Sequence, residues 1–365
     1  MGSRTGLASA CAEQFVATEK VGISSVVTDQ GRQVRAYAAE VVPGCSADRV
    51  TDVNRFVAGE NHDVYELSYL APDGRARQVV VRVASSARAR DCQAAEREAV
   101  VLRKVQGFAG PLLHDFRCES NWFDAPSMCM EYVAGIQRGP SSREDCERLG
   151  SVVGEVHELS TDDLPDASQG PFTLAEYLDS RLTKIAERTP AIRAPLPAAI
   201  QGRLEGALSS VAQRRRLALS SDCFQTGESL VLLHGDVAGG NILWTPRPVL
   251  IDWEYARLGD AADEVAYIFN QNDLTEKQRG AFWHGYAQSC QSARHVDYVR
   301  DRVQWWEPIT VLGSAFFWVN LWSQRADADA AGYVDDSVTK EQEHYREHTT
   351  RRLERFEQLV GASRT

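Results

Sequence analysis

Leu233 to Leu243 reads LHGDVAGGNIL, and VLIDWE follows from Val249 to Glu254. The apolar runs Ile242–Trp244 and Val249–Ile251, separated by TPRP, predict a short hairpin. A hairpin returns the chain on itself, so Asn241 and Asp252 fall at its two open ends, with Asp236 on the loop just before. Two carboxylates and an amide oxygen converging at one place suit a hard cation such as Mg²⁺ that shares its coordination with substrate phosphates. Phosphoryl transfer uses that set: one acid faces the attacking hydroxyl, while an amide and a second acid hold the metal.

Flanking patterns divide the chain in two. VNRFV and VYELSYL, then the turn APDG and the β-branched run RQVVVRVA, predict a three-stranded meander. RDCQAAEREAVVLRKV follows with helical period, Asp91 as its cap, and Ala95, Glu98, Ala99 and Leu102 on one stripe. Two further strands, in GFAGPLLHDFRC and PSMCMEYV, complete a small mixed unit ending near Val133. From Ser141 onward the period is mostly helical, through the aromatic-rich VQWWEPITVLGSAFFWVNLWS to a charged final helix. The expected fold class is α+β: a small antiparallel-sheet lobe with one helix (residues 1–133, of which 1–50 form an extension of undefined structure) and a larger helical lobe (134–365).

Hydrophobic residues make up 43% of the chain and charged ones 25%, ordinary values for a globular protein. The net charge of −11 argues against nucleic acid or an anionic membrane as partner, because both require a basic face. The N-terminal MGSRTGLASA does not read as a secretory signal, and no apolar run is long enough for a membrane span, so a cytoplasmic protein is expected. The eight cysteines stand singly in sequence and read as reduced core residues. HYREH, from His344 to His348, spaces two histidines one helical turn apart, but its charged surroundings favour a solvated helix face over a zinc site. His157 likewise reads as a packed helix residue.

HGDVAGGN has the order and spacing of the protein-kinase catalytic loop, with glycine in place of its arginine, and IDWE stands where D-F-G would. With the glycine and the tail GDAADEVAY, the chain resembles the aminoglycoside phosphotransferase and choline kinase-like family across residues 50–325. The resemblance implies a two-lobed protein-kinase-like fold and a kinase acting on a hydroxyl group. By the same resemblance Asp236 is the base or the hydroxyl-orienting residue, and Asn241 and Asp252 are Mg²⁺ ligands. Arg82 on the third strand takes the place of the phosphate-holding lysine, with Glu98 positioning it and Glu96 on the more polar stripe. Gly59 in AGENHDVY would lie over the triphosphate of ATP or GTP. By the resemblance the Glu131 carbonyl and Val133 amide would face the adenine edge.

The same resemblance places Trp305, Trp306 and Glu307 in a candidate substrate wall, where aromatic faces suit a cation or a flat ring. A helix apolar all round is, however, more often the centre of a bundle. The expected partners are a nucleoside triphosphate and a hydroxylated small molecule. An antibiotic, an aminoglycoside or related natural product, is favoured over choline, ethanolamine, homoserine or a sugar. A nucleotide-binding protein without transferase activity is the alternative of another class.

Overall fold

The protein is described from a computed structural model that covers residues 29–56, 61–85, 91–164, 173–187, 196–225, 229–330 and 336–362. The chain opens with helix α1 (Asp29–Val41), then the strands β1 (Val50–Arg55), β2 (His62–Leu70) and β3 (Ala76–Ala84), helix α2 (Cys92–Val105), and the strands β4 (Leu113–Arg117) and β5 (Ser127–Glu131). The five strands form one antiparallel sheet in the order β1-β2-β3-β5-β4. The meander, α2 and the last two strands thus form where their patterns predict. Asp91 caps α2 by accepting from the amides of Gln93 and Ala94.

Helix α1 is an addition to the expected single helix, and it decides what the sheet faces mean. Val79, Val81 and Val83 of β3 pack with Tyr65, Leu67, Cys129 and the α1 residues Val34, Tyr37 and Ala38 in one buried cluster. Each valine and leucine among them contributes about 1.5–3 kcal/mol by leaving water. Successive strand residues alternate faces, so Val80 and Arg82 point the other way, towards α2 and the larger core. With helices on both faces and strands on both sides, β3 has neither a wet face nor a free edge. Arg82 is accordingly buried.

Past β5 the chain forms β6 (Ile136–Gln137), α3 (Arg143–His157), α4 (Leu174–Glu187), α5 (Ala198–Leu219), β7 (Val231–Leu233), β8 (Ile242–Trp244), β9 (Val249–Leu250), β10 (Arg257–Gly259) and the helices α6 (Ala261–Gln271), α7 (Glu276–Ser289), α8 (Ala293–Ala330) and α9 (Asp336–Ala362). Ser142 and Asp145 close a capping box at the start of α3. Helices α3 and α7 approach until backbones touch: a Cβ on Gly150 would lie 2.1 Å from the Phe282 carbonyl oxygen, and one on Gly285 1.9 Å from that of Glu147. Pro308 lies within α8 and has no amide to give the carbonyl four residues back; Arg214 of α5 donates to that Gln304 oxygen instead, at 3.2 Å. Arg352 of α9 donates to the Asn270 carbonyl at 2.8 Å, near the end of α6.

Two readings are corrected. Cys92, the first residue of α2, and Cys118, just beyond β4, form a disulfide with Cα atoms 5.4 Å apart, whereas all eight cysteines were expected to be reduced. Their separation of 26 residues carries no pairing signal, because strand return alone makes them neighbours. His344 and His348 are not a solvated face: both rings pack at Trp318 of α8, His348 stacked at 4.4 Å. Among the described residues no three histidine, cysteine or acidic side chains converge as a metal site, and no helix is long and apolar enough to cross a membrane.

Candidate active site

The hairpin forms as its apolar runs predict: β8 pairs with β9, Ile242 opposite Leu250, and the Ile251 amide donates to the Asn241 carbonyl at 3.0 Å. Asn241 and Asp252 therefore flank one closing bond. The connector AGIQRG also contributes a strand, since β6 pairs with β8 and extends the hairpin to three strands.

The loop from β7 into β8 is held residue by residue. His234 is wholly buried and takes the Asp236 amide on Nδ1 at 3.2 Å, so Nε2 carries the proton it donates to the Ile251 carbonyl at 3.0 Å. Burial holds this imidazole below its ordinary pKa, although the carboxylates of Glu264 and Asp236 oppose the shift, and the ring packs 4.4 Å from Trp253. Gly235 has φ of +89°, and a Cβ there would lie 2.4 Å from the Tyr255 carbonyl oxygen. Only glycine fits, which accounts for HGD where protein kinases have arginine. The Gly235 amide donates to Glu264 at 2.6 Å. Asp236 accepts on Oδ2 from the Asn241 amide at 2.9 Å and on Oδ1 from the Tyr267 hydroxyl.

Across the hairpin, Asp252 has φ of +66°, a left-handed conformation that aspartate tolerates better than most residues. Its Oδ1 lies 3.5 Å from Arg82 Nη2. Arg82 forks onto Glu98, Nη1 to Oε1 at 2.7 Å and Nη2 to Oε2 at 3.3 Å, whereas Glu96 is exposed. Burial works against the Arg82 charge, but the carboxylates of Glu98 and Asp252 hold the guanidinium above its ordinary pKa. The His62 ring lies 3.3 Å from Arg82 Nη2, and burial together with that charge pushes its pKa down to about 4. His62 is therefore neutral at pH 7. Asn61, beside it, donates to Glu254 of the IDWE segment at 3.1 Å.

The arrangement joins Asp236, Asn241, Asp252, Arg82 and Glu98 in one run. It does not include the whole expected set. Glu131 closes β5 opposite Val79, with its amide donating to the Leu112 carbonyl at 2.8 Å, and Val133 follows it half-buried. Gly59 lies outside the described residues. The substrate wall is corrected: Trp306 is wholly buried and donates to Asp260 at 2.7 Å, Glu307 pairs with Arg279 at 2.8 Å, and Trp305 is half-buried beneath Arg214. That face of α8 packs into the core, as helices apolar all round tend to do.

Four residues of the tail GDAADEVAY have roles that sequence reasoning missed. Asp260 caps α6 and takes Arg302 and Trp306; Asp263 takes Tyr177, Arg181 and Arg257; Glu264 and Tyr267 hold the loop. Their spacing of 0, 3, 4 and 7 places them on one helix face, a polar stripe in an otherwise apolar segment. His157, buried as expected, bridges Glu264 at 3.0 Å and Tyr286 at 2.9 Å beneath the loop.

The donor set fits a divalent cation. Asn241 directs both described amide bonds to Asp236, which leaves Oδ1 as its accepting end, and the Asp252 side chain is 40% exposed. One carboxylate and one amide oxygen make a partial shell of the kind Mg²⁺ completes with water and phosphate oxygens.

Residues 52–306 match the phosphotransferase enzyme family. A stress response kinase A of Salmonella paratyphi A is 27% identical over 153 residues, and a serine/threonine protein kinase RdoA of Salmonella typhimurium 26% identical over the same length. Each match covers 40% of this chain and 42% of the relative, so less than half of either kinase is spanned. Solved structures of similar fold include a Plasmodium vivax ethanolamine kinase (TM-score 0.57, 11% identity, 87% of this chain and 86% of that one). The Streptococcus pneumoniae choline kinase LicA (0.54, 15%, 90% and 98%) is similar as well. So is a thermostable mutant of the aminoglycoside phosphotransferase APH(4)-Ia in ternary complex with ADP and hygromycin B (0.56, 16%, 90% and 98%). These likenesses establish the protein-kinase-like fold. By the span of its sequence match and the loop it carries, the chain belongs to the phosphotransferase enzyme family.

Proposed function

We propose that this protein is a Mg²⁺-dependent kinase that transfers the γ-phosphoryl group of ATP or GTP to an alcohol. The observation that carries this reading is the run of contacts from Tyr267 through Asp236 and Asn241, across the hairpin end, to Asp252, Arg82 and Glu98. It has a proton acceptor at one end and a phosphate-binding cation at the other. Arg82, held flat by Glu98, binds nucleotide phosphates as a two-pronged donor. Asn241 and Asp252 would hold the metal, which would supply charge neutralisation on the phosphate oxygens. Asp236 orients the acceptor hydroxyl. The hydroxyl oxygen forms a bond to the γ-phosphorus, the bond from that phosphorus to the β–γ bridging oxygen breaks to release the nucleoside diphosphate, and the hydroxyl proton goes to Asp236. Glu131 and Val133 present backbone groups to the purine, and the lobes meet at Val133.

For the acceptor, a hydroxylated small molecule such as an antibiotic is our reading, in a cytoplasmic enzyme. The folds named for hygromycin B, choline and ethanolamine mark a scaffold that serves chemically different alcohols. A protein serine or threonine is the second reading, favoured by the name of the Salmonella RdoA relative. A mass-spectrometric screen of hydroxylated antibiotics, amino alcohols, sugars and serine-containing peptides with Mg²⁺ and ATP or GTP tests both. We expect one acceptor class to gain a single phosphate, and the gain to vanish in Asp236→Ala while nucleotide still binds. Full transfer by that variant overturns the assignment.

A further inference from the structure

Helix α6 grips three consecutive residues of the loop. Glu264 accepts the Gly235 amide at 2.6 Å, the Tyr267 hydroxyl donates to Asp236 Oδ1, and Asn272, just past the helix end, donates to the Val237 carbonyl at 3.1 Å. The outer two contacts hold backbone. The middle one holds the carboxylate itself. Glu264 and Tyr267 are one helical turn apart and lie on the same face, so the loop reads as docked along α6 with Asp236 set against the phenol.

The character of the two Asp236 partners matters as much as their position. Asn241 donates to Oδ2 and Tyr267 to Oδ1, and both donors are neutral. Neutral donors fix the carboxylate plane without cancelling its charge, and each oxygen keeps a second lone pair for an incoming proton. A guanidinium there would orient the group equally well but would draw its charge away from the acceptor. Burial and the facing carboxylate hold the Tyr267 phenol well above its ordinary pKa, so it remains a donor. α6 itself is anchored elsewhere, by the Asp260 cap with Arg302 and Trp306 and by Asp263 with Tyr177, Arg181 and Arg257. The Tyr267 hydroxyl is therefore dispensable for holding the helix.

We propose that Tyr267 is a positioning residue for phosphoryl transfer: its hydroxyl locks the Asp236 carboxylate in the rotation that presents a lone pair to the acceptor oxygen in line with the γ-phosphate. Orientation is where such a bond acts, because a small misplacement of reacting groups lowers turnover far more than it lowers binding. The proposal rests on the kinase reading above.

The test is Tyr267→Phe in the full chain, assayed for turnover of MgATP and MgGTP with water and with each alcohol of the screen as acceptor. The expected result is a fall in kcat of about ten- to a hundredfold, with KM for the nucleotide held to within about twofold and the thermal midpoint unchanged. A wild-type kcat in Tyr267→Phe overturns the positioning role. A raised nucleotide KM with unchanged kcat also overturns it, by assigning Tyr267 to the cleft instead. A wild-type chain that turns over neither nucleotide with any acceptor overturns the kinase reading itself, which separates the two failures.

Discussion

Gly235 and Asp252 carry the unusual backbone of the site, one on either side of the hairpin. At Gly235 the left-handed φ of +89° and the close Tyr255 carbonyl leave no room for a side chain. Gly235→Ala forces a Cβ to within 2.4 Å of that oxygen and of Arg257 Nη1. The conformation alone costs about 1–2 kcal/mol for an L-residue, and the clash adds to it. We expect a stability loss of about 2 kcal/mol or more in urea unfolding, together with loss of turnover, because the Glu264 bond to the Gly235 amide sets the position of Asp236. A variant with wild-type stability and turnover would mean that the loop relaxes freely. Arg82 makes the complementary point for side chains. A buried guanidinium is tolerable only where carboxylates meet it, and Glu98 and Asp252 both do.

Helix starts are where single residues fix whole elements. Asp145, at the third position of α3, accepts from the Ser141 amide and hydroxyl at 3.0 Å, from Arg138 at 2.8 Å and from Arg148 at 2.9 Å. It thereby ties α3 to the connector that carries β6. Burial opposes its charge, yet these donors hold the carboxyl well below its ordinary value of 3.8. A carboxyl depressed on folding stabilises fully above its unfolded pKa and loses that contribution as pH falls through its lower folded pKa. Asp145→Asn should therefore reduce stability at pH 7, and its deficit relative to wild type should shrink below about pH 4. Denaturant melts across that range check this; a deficit independent of pH assigns the effect to shape rather than charge. The disulfide works on the same scale. It pins the first turn of α2, and so the helix bearing Glu98, to the end of β4.

In the whole molecule, the site is made by two bodies of structure that meet. Arg82 comes from the sheet, Asn61 from the position just before β2, and Asp252 and Glu254 from the segment after the hairpin. A Mg-nucleotide binding between them stabilises the folded chain by mass action, about 2.7 kcal/mol at a hundred times its dissociation constant. We expect a rise in thermal midpoint with MgATP or MgGTP that is much reduced when EDTA replaces Mg²⁺ or in Asp252→Ala. An equal rise in all cases removes Asp252 from metal binding. The strands of the five-stranded sheet and helix α2 were legible in the sequence because strand alternation and helical period are local signals. The loop was legible too, since the acid–amide–acid spacing survives any change of surroundings. Short-range order therefore determined the strands, the hairpin and the identity of Asp236, Asn241 and Asp252. Tertiary structure alone decided that α1 covers the second face of the sheet, that Cys92 meets Cys118, that Trp306 faces the core, and that Tyr267 reaches Asp236. Each of those depends on residues far apart in the chain being brought together, and local periodicity records no such distance.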